Sequence, residues 1–238
     1  MKPEYTVIIV AAFFLIFILA FLLVYINDKK KENSRREKCQ LRGWNYESGI
    51  KVGGGFRVTG TYSSLDWKLE KSGTKNDQMR LIFSTKSFSY GGGVFYFGDQ
   101  REVNLISKPF MRYILKMGTK GADSFQRDQN RVDALSLLKD ASKIDIAGAT
   151  GRWQYGALAT DEAFAQKIIS SGLQSEVDAI SIMEICKLPP SIILSPDGME
   201  ISWKIGSVDG NLLEQIIESS IRIMDLLSKF IKDSNGRI

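Results

Sequence analysis

The chain of 238 residues contains no histidine. That single absence removes Ser-His-Asp and Cys-His nucleophile pairs, histidine metal sites and imidazole acid/base relays. Carboxylate, lysine, tyrosine and threonine chemistry remains. The adjoining carboxylates Asp161 and Glu162 open the segment DEAFAQKIISSG, where Asp161 serves as a helix cap, and no carboxylate pair is spaced on a common face so as to demand acid/base work. The two cysteines, Cys39 and Cys186, stand far apart and form no CxxC, which fits a reducing compartment and argues against a disulfide framework or a thiolate zinc site. No catalytic residue, cofactor or metal ligand is expected.

Glycines are the next candidates for chemistry. In IDIAGATGRWQYG, the run Ile144 to Ile146 followed by Gly148, Ala149, Thr150 and Gly151 resembles the strand and glycine turn of extended short-chain dehydrogenases, which implies a dinucleotide at a helix N-terminus. Gln154 stands where that pattern has its third glycine, and Gly156 is out of register, so nucleotide binding is not expected. The triplets Gly53 to Gly55 and Gly91 to Gly93 precede neither a P-loop Lys-Ser/Thr nor a helix start; hairpin loops or bulges are the expectation. Around the second triplet, Phe88, Tyr90, Phe95, Tyr96 and Phe97 either fill a sheet core or present an interaction surface.

The elements that must position these residues follow from period and punctuation. FRVTGTY, LDWKLEK and QMRLIFSTK alternate with period two, SSLD makes a turn between the first two, and a meander of four or five strands is expected from Trp44 to Ile106. Helices are expected over 109–118, 131–141, from Asp161 to Gly172 and from Leu173 to Cys186, with a strand at 143–147. SIILS, the turn Pro196, Asp197, Gly198, and MEISWKI make a hairpin. A helix from Asp209 to Lys232 then carries Leu213, Ile216, Ile217, Ile221, Met224, Leu227 and Ile231 on one stripe. The stripe is wider than a coiled-coil seam, so packing on the chain's own sheet is expected ahead of a homodimer through residues 209–232.

Residues 5–26, YTVIIVAAFFLIFILAFLLVYI, carry no charge. As a helix the run is about 33 Å long, enough to cross a hydrocarbon core of about 30 Å. A cleaved signal peptide has a shorter apolar region with a small-residue site beyond it, whereas this run ends in Tyr25, Ile26, Asn27 and Asp28. A soluble core helix seldom needs so long a stretch that is apolar on every face. Lys29, Lys30, Lys31, Arg35, Arg36 and Lys38 follow the span against Lys2 before it. By the positive-inside rule these six are topology residues that place everything after the span in the cytoplasm and residues 1–4 outside as a short stub. Residues 27–43 read as a basic juxtamembrane helix or linker ending at Gly43, and 44–238 as a cytoplasmic domain, on a single-pass protein of the plasma (inner) membrane. Of the net charge of +5, residues 1–38 hold +3, so no basic nucleic-acid footprint remains in the domain. The lipid bilayer is the expected partner, its anionic headgroups attracted at about 1 kcal/mol per cation near the surface, together with a protein partner of unknown identity.

The fold class expected is α+β: one N-terminal transmembrane helix, then an antiparallel-sheet domain with packed helices. FRVTGTYSSLDWKLE, YGALATDEAFAQKII and SIILSPDGMEISWKI resemble the Gly-Thr/Arg-Tyr hairpin, the strand leading into an Asp-capped helix and the closing hairpin of uncharacterised bacterial membrane-anchored families with a cytoplasmic α+β domain. The resemblance implies that architecture and carries over no activity and no functional residue. The function expected is a non-catalytic binding or scaffolding module; the alternative is a membrane-tethered enzyme or a nucleotide- or lipid-binding domain.

Overall fold

The computed structural model describes residues 3–49, 55–72, 80–87, 90, 93–108, 138–144, 146, 153–179, 186 and 188–235. Its first element, α1 (Pro3–Leu41), is one unbroken helix of 39 residues. Between Pro3 and Gly43 the sequence holds no Pro or Gly, and good helix formers follow the apolar run, so nothing interrupts it. Gly43, at φ +69°, ends it in the left-handed region, and the Trp44 N–H turns back to the Cys39 carbonyl at 2.8 Å. From Phe13 to Ile26 the large apolar side chains stand exposed all round, between 46 and 76 %. This half is long and apolar enough to cross a membrane, and none of it is buried inside the molecule. The other half is anchored: Cys39 is 0 % exposed and belongs to the main core.

Nine strands among the described residues form one antiparallel sheet: β1 (Asn45–Gly49), β2 (Gly55–Tyr62), β3 (Leu65–Ser72), β4 (Arg80–Thr85), β5 (Phe95–Asp99), β6 (Ser142–Ile144), β7 (Tyr155–Ala159), β8 (Ser191–Ser195) and β9 (Gly198–Lys204). Their order is β1-β2-β3-β4-β9-β8-β5-β7-β6. The SSLD turn is a two-residue hairpin: Tyr62 pairs with Leu65, and Ser63 and Ser64 sit at φ +48° and +69°, the left-handed pair that matches strand twist. The meander expected up to Ile106 stops at β4. The β8–β9 hairpin inserts between β4 and β5, because SIILS is buried along its whole length and needs a strand on each side. The segment Gln100–Ile106 is a helix, α2, whose cap Asp99 accepts the Arg101 N–H at 2.7 Å.

Three further helices among the described residues are α3 (Glu162–Ser170), α4 (Leu173–Asp178) and α5 (Gly210–Asn235). Asp161 caps α3 as expected, accepting the Phe164 N–H at 3.0 Å. Of the helix expected from Leu173 to Cys186, Leu173–Asp178 is helical, and residues 180–185 lie outside the described residues. The expected helix over 109–118 lies outside the described residues; of that over 131–141, Leu138–Asp140 is a 3₁₀ turn. The strand expected at 143–147 is β6, ending at Ile144.

The main core lies on one face of the sheet. Val58, Leu69, Phe83, Ile201 and Trp203 from the strands meet Leu213, Ile216, Ile217, Met224 and Leu227 of α5, Ile168 of α3 and Cys39 of α1. Each such side chain contributes about 1.5–3 kcal/mol on burial. The stripe of α5 is thus covered by the chain's own sheet, and the Trp203 Nε1–H is satisfied there by Ser220 Oγ at 2.9 Å. A smaller cluster on the opposite face packs Val103 of α2, Leu138 and Ala141 on Tyr96, Leu158 and Ile193.

Candidate functional site

The strands β1 to β4 end together beside the turn that closes α1, and a groove of about 920 Å³ opens there. Gly60 makes it: a Cβ at that position would run into the Trp67 ring and stand 3.1 Å from Trp44 Cδ1, so the glycine lets two indoles approach the backbone. Trp44 and Trp67 meet edge to face at 5.5 Å, and Trp67 is backed by Phe83, stacked at 5.5 Å. The wall is fixed by hydroxyls. Thr61 Oγ1 donates to Asp66 Oδ1 at 2.9 Å, and Thr85 Oγ1 donates to the Asp66 carbonyl at 2.6 Å while accepting the Ser87 N–H at 3.2 Å. Trp67 is 3 % exposed and its Nε1–H has no hydrogen-bond acceptor among the described residues. Arg42, Lys68 and Lys86 stand around the opening. Trp67 and Thr85 form the buried floor of the groove, half-buried Trp44 and exposed Lys86 face its opening, and it holds no paired acid and base.

The six cations singled out in the sequence divide into two sets. Lys29 and Lys30 are exposed and Lys31 half-buried, directly beyond the apolar run. Arg35 lies under the domain: it donates to the Val208 carbonyl at 2.7 Å and to Tyr46 Oη at 3.2 Å, with its guanidinium 4.9 Å over the Phe56 ring. Arg36 reaches Glu32 at 3.5 Å and the face of Tyr46 at 5.7 Å. Lys38 pairs with Glu214 at 3.1 Å, and Arg42, which was not singled out, bonds Glu214 at 2.5 Å and Glu218 at 2.6 Å. These bonds from Arg42 and Lys38 hold the Glu214 carboxyl below the usual range despite its partial burial. Residues 32–42 are thus part of the folded domain rather than a linker before it. Sequence gave little signal of this, since Cys39 and Leu41 are the only apolar residues in that stretch.

Among the described residues both thiols and several of the phenols are withdrawn into the core. Tyr90, Phe95, Tyr96 and Phe97 are buried; Phe88 lies outside the described residues. Burial first, and then the neighbouring carboxylates, push up the phenols of Tyr90, bonded to Asp161, and Tyr155, bonded to Asp178. Burial likewise raises the Cys39 and Cys186 thiols to about 11. Among the described residues no group of potential metal ligands converges. The second glycine triplet falls between β4 and β5, which two strands separate, so β4 and β5 are not a hairpin; of the triplet Gly93, at φ +109°, is described and packs on Thr160. The GATG turn lies outside the described residues, but its flanks do not. β6 before it and β7 after it are antiparallel neighbours, whereas a dinucleotide turn leads from a strand into a helix. Gly156 lies in β7 beneath Val103 of α2, which a Cβ would approach to 3.0 Å.

No protein-family model matches this chain, and no curated protein matches it. Among solved structures it is similar to a mycobacterial trehalose monomycolate transport factor A, at 8 % identity and a TM-score of 0.47 over 83 % of this chain and 92 % of that one. So distant a likeness brings no activity to this chain.

Proposed function

We propose that this chain is a single-pass membrane protein whose cytoplasmic α+β domain is a non-catalytic binding module, held on the bilayer by α1 and offering the Trp44/Trp67 groove to a partner. The observation that carries the reading is the continuity of α1, exposed and apolar from Phe13 to Ile26 and built into the core through Cys39 at its other end. The six cations after the span, against Lys2 before it, support a cytoplasmic domain, because the Lys/Arg bias close to the ends of a span is what sets its orientation. The non-catalytic part is supported by the missing histidine and by thiols and phenols whose raised pKa values keep them protonated near neutrality.

The test is extraction and topology on the full chain. Carbonate should leave it in the membrane at its full mass, and a reporter fused after Ile238 should be active on the cytoplasmic side. A mass lacking the apolar run would establish a cleaved signal peptide instead, and an outward reporter would reverse the orientation. Against the enzyme alternative, calorimetry with NAD, NADP and ATP should give no saturable heat. A signal that Gly151→Val abolishes would revive it.

A further inference from the structure

The contacts of α1 fix which end of the domain faces the span. Ser48 Oγ donates to Glu32 Oε1 at 2.6 Å, the Gly210 N–H donates to Ser34 Oγ at 3.2 Å, and Arg42 reaches Glu218. So β1 runs back toward the span while α5 runs parallel to α1, away from it. By the antiparallel register, the end of the sheet nearest the span is made by Gly49 opposite Gly55 and Ser72 opposite Arg80, with Lys204 beside Arg80. The groove is at the far end. The first contact, at Glu32, comes six residues beyond Ile26, about 9 Å along the helix. The polar layer of a bilayer is about 5–8 Å deep on each side, so a rigid helix leaves no gap in which the domain could stand clear.

Charge marks the near end. Lys71 is exposed at the end of β3 and Arg80 half-buried at the start of β4, joining exposed Lys29 and Lys30 and half-buried Lys31. The acids close by are largely engaged: Glu32 with Ser48 and Arg36, Asp209 with the Leu212 N–H and Glu70 with Arg57 and Lys68. Glu47 pairs with Arg57 at 3.6 Å, and among the described residues Asp28 remains as a counter-charge. Resting on the reading of α1 as a span, we propose that the rim formed by Lys29, Lys30, Lys31, Lys71 and Arg80 lies against the anionic lipid headgroups of the bilayer that α1 crosses. Such contact fixes the tilt of the domain and aims the groove away from the membrane.

The experiment uses the full chain in nanodiscs of phosphatidylcholine, alone or mixed with phosphatidylglycerol, with a fluorophore on a cysteine introduced at the rim (Lys71→Cys) or at the groove (Lys86→Cys) and a headgroup spin label as quencher. Cys39 and Cys186 are buried and leave the introduced thiol as the reactive one. Quenching at position 71 should exceed that at 86 several-fold in the anionic discs, and should fall when phosphatidylglycerol is omitted or when Lys29, Lys30 and Lys31 are replaced by Gln. Equal quenching at the two positions in a chain that resists carbonate extraction would overturn the inference and leave the span intact. Stronger quenching at 71 that ignores lipid charge would overturn the anionic-headgroup contact, and a chain that carbonate releases would overturn the span and the rim together.

Discussion

At the scale of single residues, Gly60 and the two thiols make the sharpest claims. Gly60→Val puts a side chain into the Trp67 ring and against Trp44, in a core with no slack on that side because Trp67 is already stacked on Phe83. A cost of about 1–3 kcal/mol is expected, read as a lower denaturation midpoint of the detergent-solubilised chain; an unchanged midpoint would mean the indoles can part freely. Cys39 and Cys186 are buried, with thiols raised to about 11. Both should resist iodoacetamide at neutral and mildly alkaline pH until denaturant is added, as mass spectrometry of the alkylated chain would record. Fast alkylation of Cys39 in the native protein would show that the end of α1 detaches from the sheet.

Between elements, α1 and α5 are joined side by side by Lys38, Arg42, Glu214 and Glu218. Glu214 has a folded pKa below its ordinary 4.5 because of the Arg42 and Lys38 bonds. Its stabilising contribution is therefore complete above that ordinary value and lost as pH falls through the folded one. The acid limb of the stability profile should flatten in Glu214→Gln, and an identical limb would show that the pair is not held in solution. At the start of α5, Asp209 Oδ1 accepts the Leu212 N–H at 2.9 Å. Asp209→Ala should cost about 1 kcal/mol, measured by chemical denaturation, while Asp209→Asn should restore most of it.

For the whole molecule the consequence is where the domain begins. The sequence places the boundary at Trp44, after a basic linker, but Arg35, Lys38, Cys39 and Arg42 all make contacts inside the fold. A fragment of residues 28–238 should therefore be more stable than one of 43–238. A loss of about 3 kcal/mol would lower the melting midpoint by roughly 6–12 °C in a domain of this size. Equal midpoints would mean that the end of α1 adds nothing to the core.

What the sequence determined by itself is what a few neighbouring residues encode. Twenty-two uncharged residues in a row mark the apolar helix, period two marks β2, β3 and β4, and Asp161 and Asp209 mark the helices they cap, each signal lying within one or two turns of chain. The tertiary structure decided what joins distant segments. The β8–β9 hairpin enters the sheet between strands formed some hundred residues earlier. Arg35 meets Val208 across 173 positions, and Arg42 meets Glu214 across 172. The groove gathers the ends of four strands around one glycine. Such pairings leave no periodic trace along the chain, because the partner of each group is chosen by how the sheet folds under its helices and not by any residue beside it.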